Sequence, residues 1–220
     1  MFNIKRTFNF VPQMEKKEQI LVTALQMFGD RGYEGTSIRD LSAEAGINIA
    51  MINYYFGSKE KLFEEVIAYK TSYLKNIFLD IANDRSLSPI EKVYKVINHL
   101  VERILSSPVF HQLVHRELSL NQRTGTHKGL IDLLLGNSFI IRDIINQGIK
   151  EDVFEKVDVE LTVSTLFGTI SQLTISEELC RKLLRKNEEF EPYNDKRFRK
   201  RVVDHLVKLM SSLLLKREKN

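Results

Sequence analysis

The chain has 220 residues, of which 43% are hydrophobic, so it is long enough to bury a sizeable core. It has no apolar run of membrane-spanning length, and its first residues lack the apolar stretch of a secretory signal. We therefore expect neither a membrane partner nor secretion. The single cysteine, Cys180, excludes an internal disulfide and is typical of a cytoplasmic protein. The net charge of +4 weakly favours a polyanionic partner.

Leucine, isoleucine, glutamate and lysine are plentiful while glycine and proline are scarce, so the composition predicts an all-α protein. Apolar periodicity and capping residues predict about nine helices. They lie over residues 15–31, 37–45, 48–55, 58–83, 89–105, 108–119, 127–151, 159–186 and 195–216.

Glycines divide the first part of the chain into short helices. Five of the ten glycines fall within the first 57 residues, each where an apolar-periodic segment stops and a turn is needed. Apolar stripes on the helices over 15–31, 37–45 and 48–55 would close a small core. Three short helices joined by tight turns are typical of a unit that presents one helix to a DNA groove.

The third helix has an outward side without charge. It carries Asn48, Ile49, Ala50, Asn53 and Tyr54, and no ionisable acid or base other than tyrosine lies between Glu44 and Lys59. An uncharged surface suits insertion between two walls of phosphate. Asn53 could pair with adenine, and Ile49 and Ala50 could touch thymine methyl groups.

Phosphate contacts require donors near this helix, and the sequence supplies several. Thr36 and Ser37 open the second helix, and Ser58 and Lys59 open the fourth, where the amides and the helix dipole favour anions. Further candidates are the hydroxyls of Tyr54 and Tyr55 and the side chain of Arg39. The alternative for Thr36, Ser37 and Ser58 is helix capping without DNA. Charge alone does not identify this region as a DNA-binding unit, since residues 1–61 hold eight Lys or Arg and seven Asp or Glu.

The stretch GYEGTSIRDLSAEAGINIAMINYYFGSKEKLFEEVI resembles the DNA-binding region of the TetR family of bacterial transcriptional regulators. The matching features are Phe28, Gly32-Tyr33, Thr36-Ser37-Ile38, Ala45-Gly46-Ile47, Tyr55-Phe56 and Ser58-Lys59. Two residues depart from the family pattern: Asn53 stands where tyrosine is frequent, and Asn48 where serine or threonine is usual. Both remain polar, so the departures affect the expected base preference and not the fold.

The resemblance implies a two-fold dimer whose recognition helices enter successive major grooves of a near-palindromic operator. It implies three regions: an arm over 1–14 that could be disordered, a helix-turn-helix unit over 15–57, and an effector-binding and dimerisation region over 58–220. The fourth helix, over 58–83, would span about 39 Å at ~1.5 Å per residue. Its stripe is expected to face the bundle, so a shift of this helix could change the spacing of the DNA-reading heads. The stripe comprises Leu62, Val66, Tyr69, Tyr73 and Ile77.

The C-terminal half offers candidates for an effector pocket and a dimer interface, both implied by the resemblance. The pocket candidates combine apolar walls with polar anchors: Tyr69, Tyr73, His99, Arg103, His115 and Phe167. The interface candidates lie on the last two predicted helices: Phe167, Gly168, Ser171, Val202, Leu206, Leu209 and Leu213. Burial within one chain remains the alternative for about half of the interface set.

His111 and His115 stand one helical turn apart, a spacing that can hold a metal, but no cysteine or carboxylate cluster completes a site. The chain has no phosphate loop, dinucleotide fingerprint or nucleophile elbow, so we expect neither an enzyme nor a cofactor. The favoured interpretation is a homodimeric repressor that binds double-stranded DNA and responds to a small, apolar effector. The alternatives are a small-molecule binding protein with a vestigial DNA unit and a metal-dependent enzyme using the two histidines.

Overall fold

The computed structural model describes residues 15–119 and 125–216, and these residues form ten helices. In chain order they are α1 (Lys16–Arg31), α2 (Ile38–Ala45), α3 (Ile49–Phe56), α4 (Lys59–Asn83), α5 (Pro89–Leu105), α6 (Pro108–Ser119), α7 (Gly125–Lys150), α8 (Val159–Thr174), α9 (Glu177–Leu183) and α10 (Lys196–Leu214). The predicted all-α class is confirmed. The predicted arm over 1–14 lies outside the described residues.

The single helix predicted over 159–186 is wrong. Helix α8 ends at Thr174, Ser176 takes an extended conformation, and its hydroxyl accepts a hydrogen bond from the Leu179 amide at 3.3 Å to start α9. Serine followed by two glutamates is a helix start, because the side chain caps an amide and the acids favour the positive end of the dipole. No glycine or proline marks this break, which explains why periodicity alone missed it.

Capping residues fix the helix starts that the sequence predicted. The Ser88 amide donates to the Glu91 carboxylate at 2.8 Å, and proline occupies the first position of α5. Asp158 accepts from the Leu161 amide at 2.9 Å at the start of α8. Asp195 does the same for α10, where it accepts from the Arg197 amide at 2.7 Å.

One core cluster holds the N-terminal unit together and continues beyond it. Buried side chains of α1, α2 and α3 meet those of α4, α6 and α7 in this cluster. Its members are Ile20, Leu21, Ala24, Met27, Phe28, Leu41, Ala45, Ile47, Ile52, Phe56, Leu62, Phe63, Val66, Ile67, Phe110, Leu113, Val114 and Leu130. The three short helices are therefore seated directly on the rest of the molecule.

A second core cluster fills the C-terminal bundle, where α5 lies among α4, α7, α8 and α10. Helix α4 contributes to both clusters through a stripe on one side. The buried members of that stripe are Leu62, Phe63, Val66, Ile67, Leu74, Phe78 and Ile81. The expectation that Tyr69 and Tyr73 face the bundle is wrong, because both side chains are exposed.

Helix α6 joins the bundle to the end of α1. The Arg116 guanidinium donates to the backbone oxygens of Phe28 and Gly29, and the Tyr33 amide donates to Glu117 at 3.2 Å. A cation at the C-terminal carbonyls of a helix also interacts favourably with its dipole. The two helices approach so closely that a Cβ on Gly29 would lie 2.2 Å from Val109.

None of the helices in residues 15–119 and 125–216 is both long and apolar enough to cross a bilayer.

Candidate nucleic-acid interface and effector cavity

Helices α2 and α3 are held at a fixed angle by the turn over 46–48. Gly46 has φ of 62°, a left-handed conformation that favours glycine, and its amide donates to the end of α2. The Ser42 hydroxyl donates to the Ile47 carbonyl at 2.6 Å, and the Gln19 amide group donates to the Ala45 carbonyl at 3.0 Å. These contacts from α1 and α2 position the first residue of α3.

Helix α3 divides into a buried side and a solvent-facing side, and the five residues that the sequence placed on the outward side are exposed. Ile52 and Phe56 lie in the core cluster, while Met51 is half-buried against it. The exposed set is Asn48, Ile49, Ala50, Asn53, Tyr54 and Tyr55. Because the exposed set contains no acid or base other than tyrosine, the helix offers hydrogen-bonding and apolar groups to a partner without introducing charge.

Tyr54 and Tyr55 extend this surface at the end of α3. The Tyr54 side chain is 83% exposed, and its ring meets that of Tyr55 edge to face with centroids 5.5 Å apart. Such exposure is high for a large aromatic side chain, which is on average mostly buried. A tyrosine hydroxyl is a neutral group that can donate to a DNA phosphate.

Ser37 caps α2 through a reciprocal pair with Asp40. The Ser37 hydroxyl accepts from the Asp40 amide at 3.1 Å, and the Asp40 carboxylate accepts from the Ser37 amide at 3.2 Å. Hydrogen bonds from the Ser37 hydroxyl and amide lower the pKa of Asp40. A phosphate approaching this helix start would compete with the Asp40 carboxylate for the Ser37 amide.

Thr36 does not share the exposed surface. Its side chain is fully buried, and its hydroxyl donates to the Gly32 carbonyl at 2.9 Å and lies 3.2 Å from the Met27 carbonyl oxygen. The Thr36 amide is also engaged, with the Tyr33 carbonyl at 3.3 Å. Thr36 therefore holds the α1–α2 connection together, and we leave it out of the candidate interface.

Two cations flank the uncharged helix. Arg39 is exposed on α2. Lys59 begins α4. Its ammonium lies 4.2 Å from the centre of the Tyr33 ring, and this cation–π contact restricts the orientation of the side chain. Ser58 caps the same helix by accepting from the Lys61 amide at 3.2 Å. This arrangement can supply phosphate donors on both sides of α3.

A cavity of about 220 Å³ lies within the bundle between α4, α5, α6, α7 and α8. Of the six predicted pocket residues, Arg103, His115 and Phe167 line it. The other three do not. Tyr69 donates to Glu18 at 2.7 Å on the surface, while Tyr73 and His99 are exposed.

The cavity also contains polar residues that the pocket prediction missed, namely Lys70, His111 and Asn137. Lys70 carried a signal in the sequence, because it falls in line with the buried apolar stripe of α4. Asn137 carried none, since its burial depends on how α7 packs. For His111 the sequence left open a metal pair with His115 and a structural or pocket-lining role. The cavity position agrees with the second, and no group of three possible metal ligands occurs within the described residues.

The pKa values of His111, His115 and Lys70 in the cavity are lowered, which favours their neutral forms. Burial, together with the nearby His115, Arg103 and Lys70, lowers the pKa of His111 to about 3. Burial also lowers the pKa of His115, and burial and Arg103 lower that of Lys70. His111 is therefore a neutral imidazole at physiological pH.

The predicted dimer residues separate into three groups. Val202 and Leu206 are buried in the core of their own chain, so their assignment to the interface was wrong. Phe167 and Ser171 line the cavity. Gly168 is exposed with nothing near its Cβ position, and Leu213 is exposed on α10, where Leu209 is half-buried.

Comparison with known proteins identifies a related family. Residues 20–66 match the model of bacterial regulatory proteins of the tetR family. The "Probable HTH-type transcriptional regulator YttP" of Bacillus subtilis (strain 168) is 24% identical over 140 residues, which cover 63% of this chain and 67% of YttP. The biofilm operon icaADBC HTH-type negative transcriptional regulator IcaR of Staphylococcus aureus (strain Newman) is 30% identical over 81 residues. That match covers 37% of this chain and 43% of IcaR, so the chain spans less than half of this relative.

The fold has solved counterparts. The transcriptional regulator FadR from Bacillus subtilis in complex with stearoyl-CoA superposes with a TM-score of 0.65 at 20% identity. The superposition covers 86% of this chain and 97% of FadR. At this identity the likeness supports the arrangement of helices and nothing about the ligand.

Proposed function

We propose that the chain is a DNA-binding transcriptional regulator of the TetR family, because residues 20–66 match the model of bacterial regulatory proteins of that family. In this proposal it acts in the cytoplasm as a homodimeric repressor and leaves its operator when a small molecule binds. The single observation that carries the proposal is the solvent-facing side of α3, which is exposed and free of charge between flanking cations. Asn48, Ile49, Ala50 and Asn53 would face base edges, and Ser37, Tyr54, Tyr55 and Lys59 would face phosphates. Arg39 could reach either.

Dimerisation is supported by an apolar face that one chain leaves open. Leu161, Gly168 and Ile175 recur at intervals of seven residues, so they lie along the same side of α8, and all three are exposed. Leu161 is 65% exposed, which is high for a leucine in an ordered helix. An exposed side of this kind suits a two-fold contact, in which the helix meets its copy.

Effector control is supported by the position of α6. The cavity-facing side of this helix carries His111 and His115, and its other side carries Arg116 and Glu117, which hold the end of α1. A ligand that displaces α6 would therefore move the DNA unit. FadR of Bacillus subtilis was solved with stearoyl-CoA, and we propose a small-molecule effector for this chain as well.

The proposal is tested by titrating the chain onto the DNA upstream of its own coding sequence at several salt concentrations. We expect specific binding whose affinity falls steeply with salt, since phosphate contacts release counterions. Lys59→Ala should weaken binding to every sequence and reduce the salt slope by about one. Lys75→Ala is the matched control, because Lys75 is exposed farther along the same helix.

Absence of salt-sensitive binding to any sequence would reject the regulator and favour the alternative, a small-molecule binding protein with a vestigial DNA unit. Equal salt slopes for the wild type and Lys59→Ala would remove Lys59 from the phosphate contacts.

A further inference from the structure

We propose that the bundle cavity binds a small amphiphilic carboxylate, with its anionic head between Lys70 and Arg103 and its apolar part against the side chains of α5, α6 and α7. This inference rests on the proposed function, because it names the class of the effector. It depends on three properties of the cavity: an unbalanced positive charge, a buried polar group without a partner, and a small apolar volume.

The charge of the cavity is unbalanced among the described residues. Lys70 and Arg103 both line it, no acidic side chain does, and neither cation forms an ion pair within residues 15–119 and 125–216. The segment 120–129 contains no aspartate or glutamate that could supply a counter-charge. Both side chains are partly buried, and partial desolvation of a cation without a counter-charge is unfavourable, so an anion of matching size is the ligand that this wall favours.

Lys70 and Arg103 lie close enough to each other and to His111 for their charges to interact. Arg103 contributes to the lowered pKa of Lys70, and both contribute to the lowered pKa of His111. The Arg103 guanidinium is held 5.1 Å from the centre of the exposed Tyr73 ring, which orients it without neutralising it. The neutral His111 imidazole can add a hydrogen bond to an anionic head without adding charge.

Asn137 supplies the second observation. It is only 7% exposed, lies in the cavity wall, and its side-chain oxygen has no hydrogen-bond partner among the described residues. Buried amides are normally satisfied, so an unpartnered one beside a cavity indicates a group that a ligand engages. Rotation of the amide by 180° would instead present its two N–H donors, which suit a carboxylate.

Volume limits the apolar part of the ligand. A cavity of about 150 Å³ accommodates benzene, so about 220 Å³ would hold roughly nine non-hydrogen atoms at the same density. The apolar walls that surround this space are largely aliphatic, with phenyl rings from Phe110 of α6 and Phe167 of α8. They include Leu74, Leu100, Ile104, Phe110, Val114 and Leu134. Octanoate, with seven carbons behind its carboxylate, has the required size and charge.

The test is calorimetric titration of the full chain with octanoate, octan-1-ol and octylamine, which share a tail and differ in head charge. We expect octanoate to bind at least tenfold more tightly than octan-1-ol, and octylamine to bind most weakly. Lys70→Gln and Arg103→Gln should each weaken octanoate binding about tenfold or more, as expected when a hydrogen bond to a charged group is removed. Arg103→Lys should recover part of the affinity, and Lys75→Gln should change nothing. Circular dichroism of each variant establishes that it is folded.

The inference is overturned if octanoate fails to bind the wild type, if octylamine binds as tightly, or if both charge-removing variants keep the wild-type affinity while folded. DNA binding by the ligand-free wild type is measured separately. Binding of octanoate without binding of DNA would reject the proposed regulator and support the carboxylate ligand. Binding of DNA without binding of octanoate would support the regulator and reject the carboxylate ligand.

Discussion

Asn48 and Asn53 are the two amides on the solvent-facing side of α3, and they are not equivalent. The Asn48 oxygen accepts a hydrogen bond from the Ala50 amide at 2.9 Å and so caps the helix. Asn53 sits one turn later, is exposed, and makes no side-chain hydrogen bond within the described residues. Both groups of Asn53 are available for the bidentate contact that adenine offers in the major groove. Base preference is therefore expected to depend on Asn53 more than on Asn48.

The neutral His111 predicts a specific dependence of stability on pH. Its pKa is about 3 in the folded chain against 6.5 for an unperturbed histidine, so the unfolded chain binds a proton first as pH falls. The groups that face it are His115 on the same helix, Arg103 of α5 and Lys70 of α4. Above about pH 6.5 His111 costs no stability, and between about pH 6.5 and 3 it favours unfolding increasingly.

Replacement of His111 by glutamine should therefore flatten the decline of unfolding free energy between pH 7 and 4.5, measured by chemical denaturation at each pH. His99→Gln serves as the control, since His99 is exposed on α5. A pH dependence unchanged by His111→Gln would show that the pKa of His111 is the same in the folded and the unfolded chain.

The side chains of α3 could be assigned from the sequence because the period of a helix alone decides which of them point away from the core. The position of Thr36 could not be assigned in this way, because a threonine before a helix can either cap it or be buried. Contacts with the carbonyl oxygens of Met27 and Gly32 show that Thr36 is buried. The same limit applies to Tyr69 and Tyr73. Both fit a helical stripe in the sequence, but the buried side of α4 carries Leu74 and Phe78 instead.

At the scale of elements, α6 is the connection on which the proposed effector control would depend. Helix α6 holds the end of α1 through Arg116 and Glu117, and a glycine at 29 allows the two helices to touch. Nothing in the sequence predicted this contact, because it joins segments almost ninety residues apart.

Arg116→Met should weaken that connection while keeping the apolar stem of the side chain. Without the guanidinium, the carbonyls at the end of α1 have no donor from α6, and removing hydrogen bonds to a charged group is expected to cost about 1.5–3 kcal/mol. Amide hydrogen exchange in residues 29–36 should become faster, while exchange in α10 stays as in the wild type. Arg142→Met is the control, since Arg142 pairs only with the neighbouring Asp143 among the described residues. Unchanged exchange in residues 29–36 would mean that Arg116 does not hold the unit in place.

At the scale of the molecule, the proposed recognition of an operator involves two copies of the chain. A single α3 would read one half-site, whereas two copies related by a two-fold axis would read half-sites one helical turn apart, about 34–36 Å. The exposed side of α8 is the expected contact between the copies. Its position could be predicted only in part, because the sequence does not show which apolar residues of α8 and α10 are buried within one chain.

Leu161→Glu combined with Ile175→Glu should place like charges across the two-fold contact and give a monomer. Sedimentation velocity should find twice the chain mass of 25.6 kDa for the wild type and the single mass for the variant. Leu79→Glu is the matched control, because Leu79 is an exposed leucine on α4. A double variant that keeps the dimer mass would move the interface elsewhere.

DNA reading by α3 is tested most directly by selecting bound sequences from a random DNA library with the wild type and with Asn53→Ala. We predict that the wild type selects a two-fold symmetric site. Asn53→Ala should bind with the same salt dependence but show no preference at one symmetric pair of positions, because each base contact that Asn53 makes is expected to contribute about 1–3 kcal/mol of discrimination. Asn98→Ala, which alters an exposed asparagine of α5, should select the wild-type site. An Asn53→Ala profile identical to that of the wild type would contradict the claim that the exposed side of α3 reads the bases.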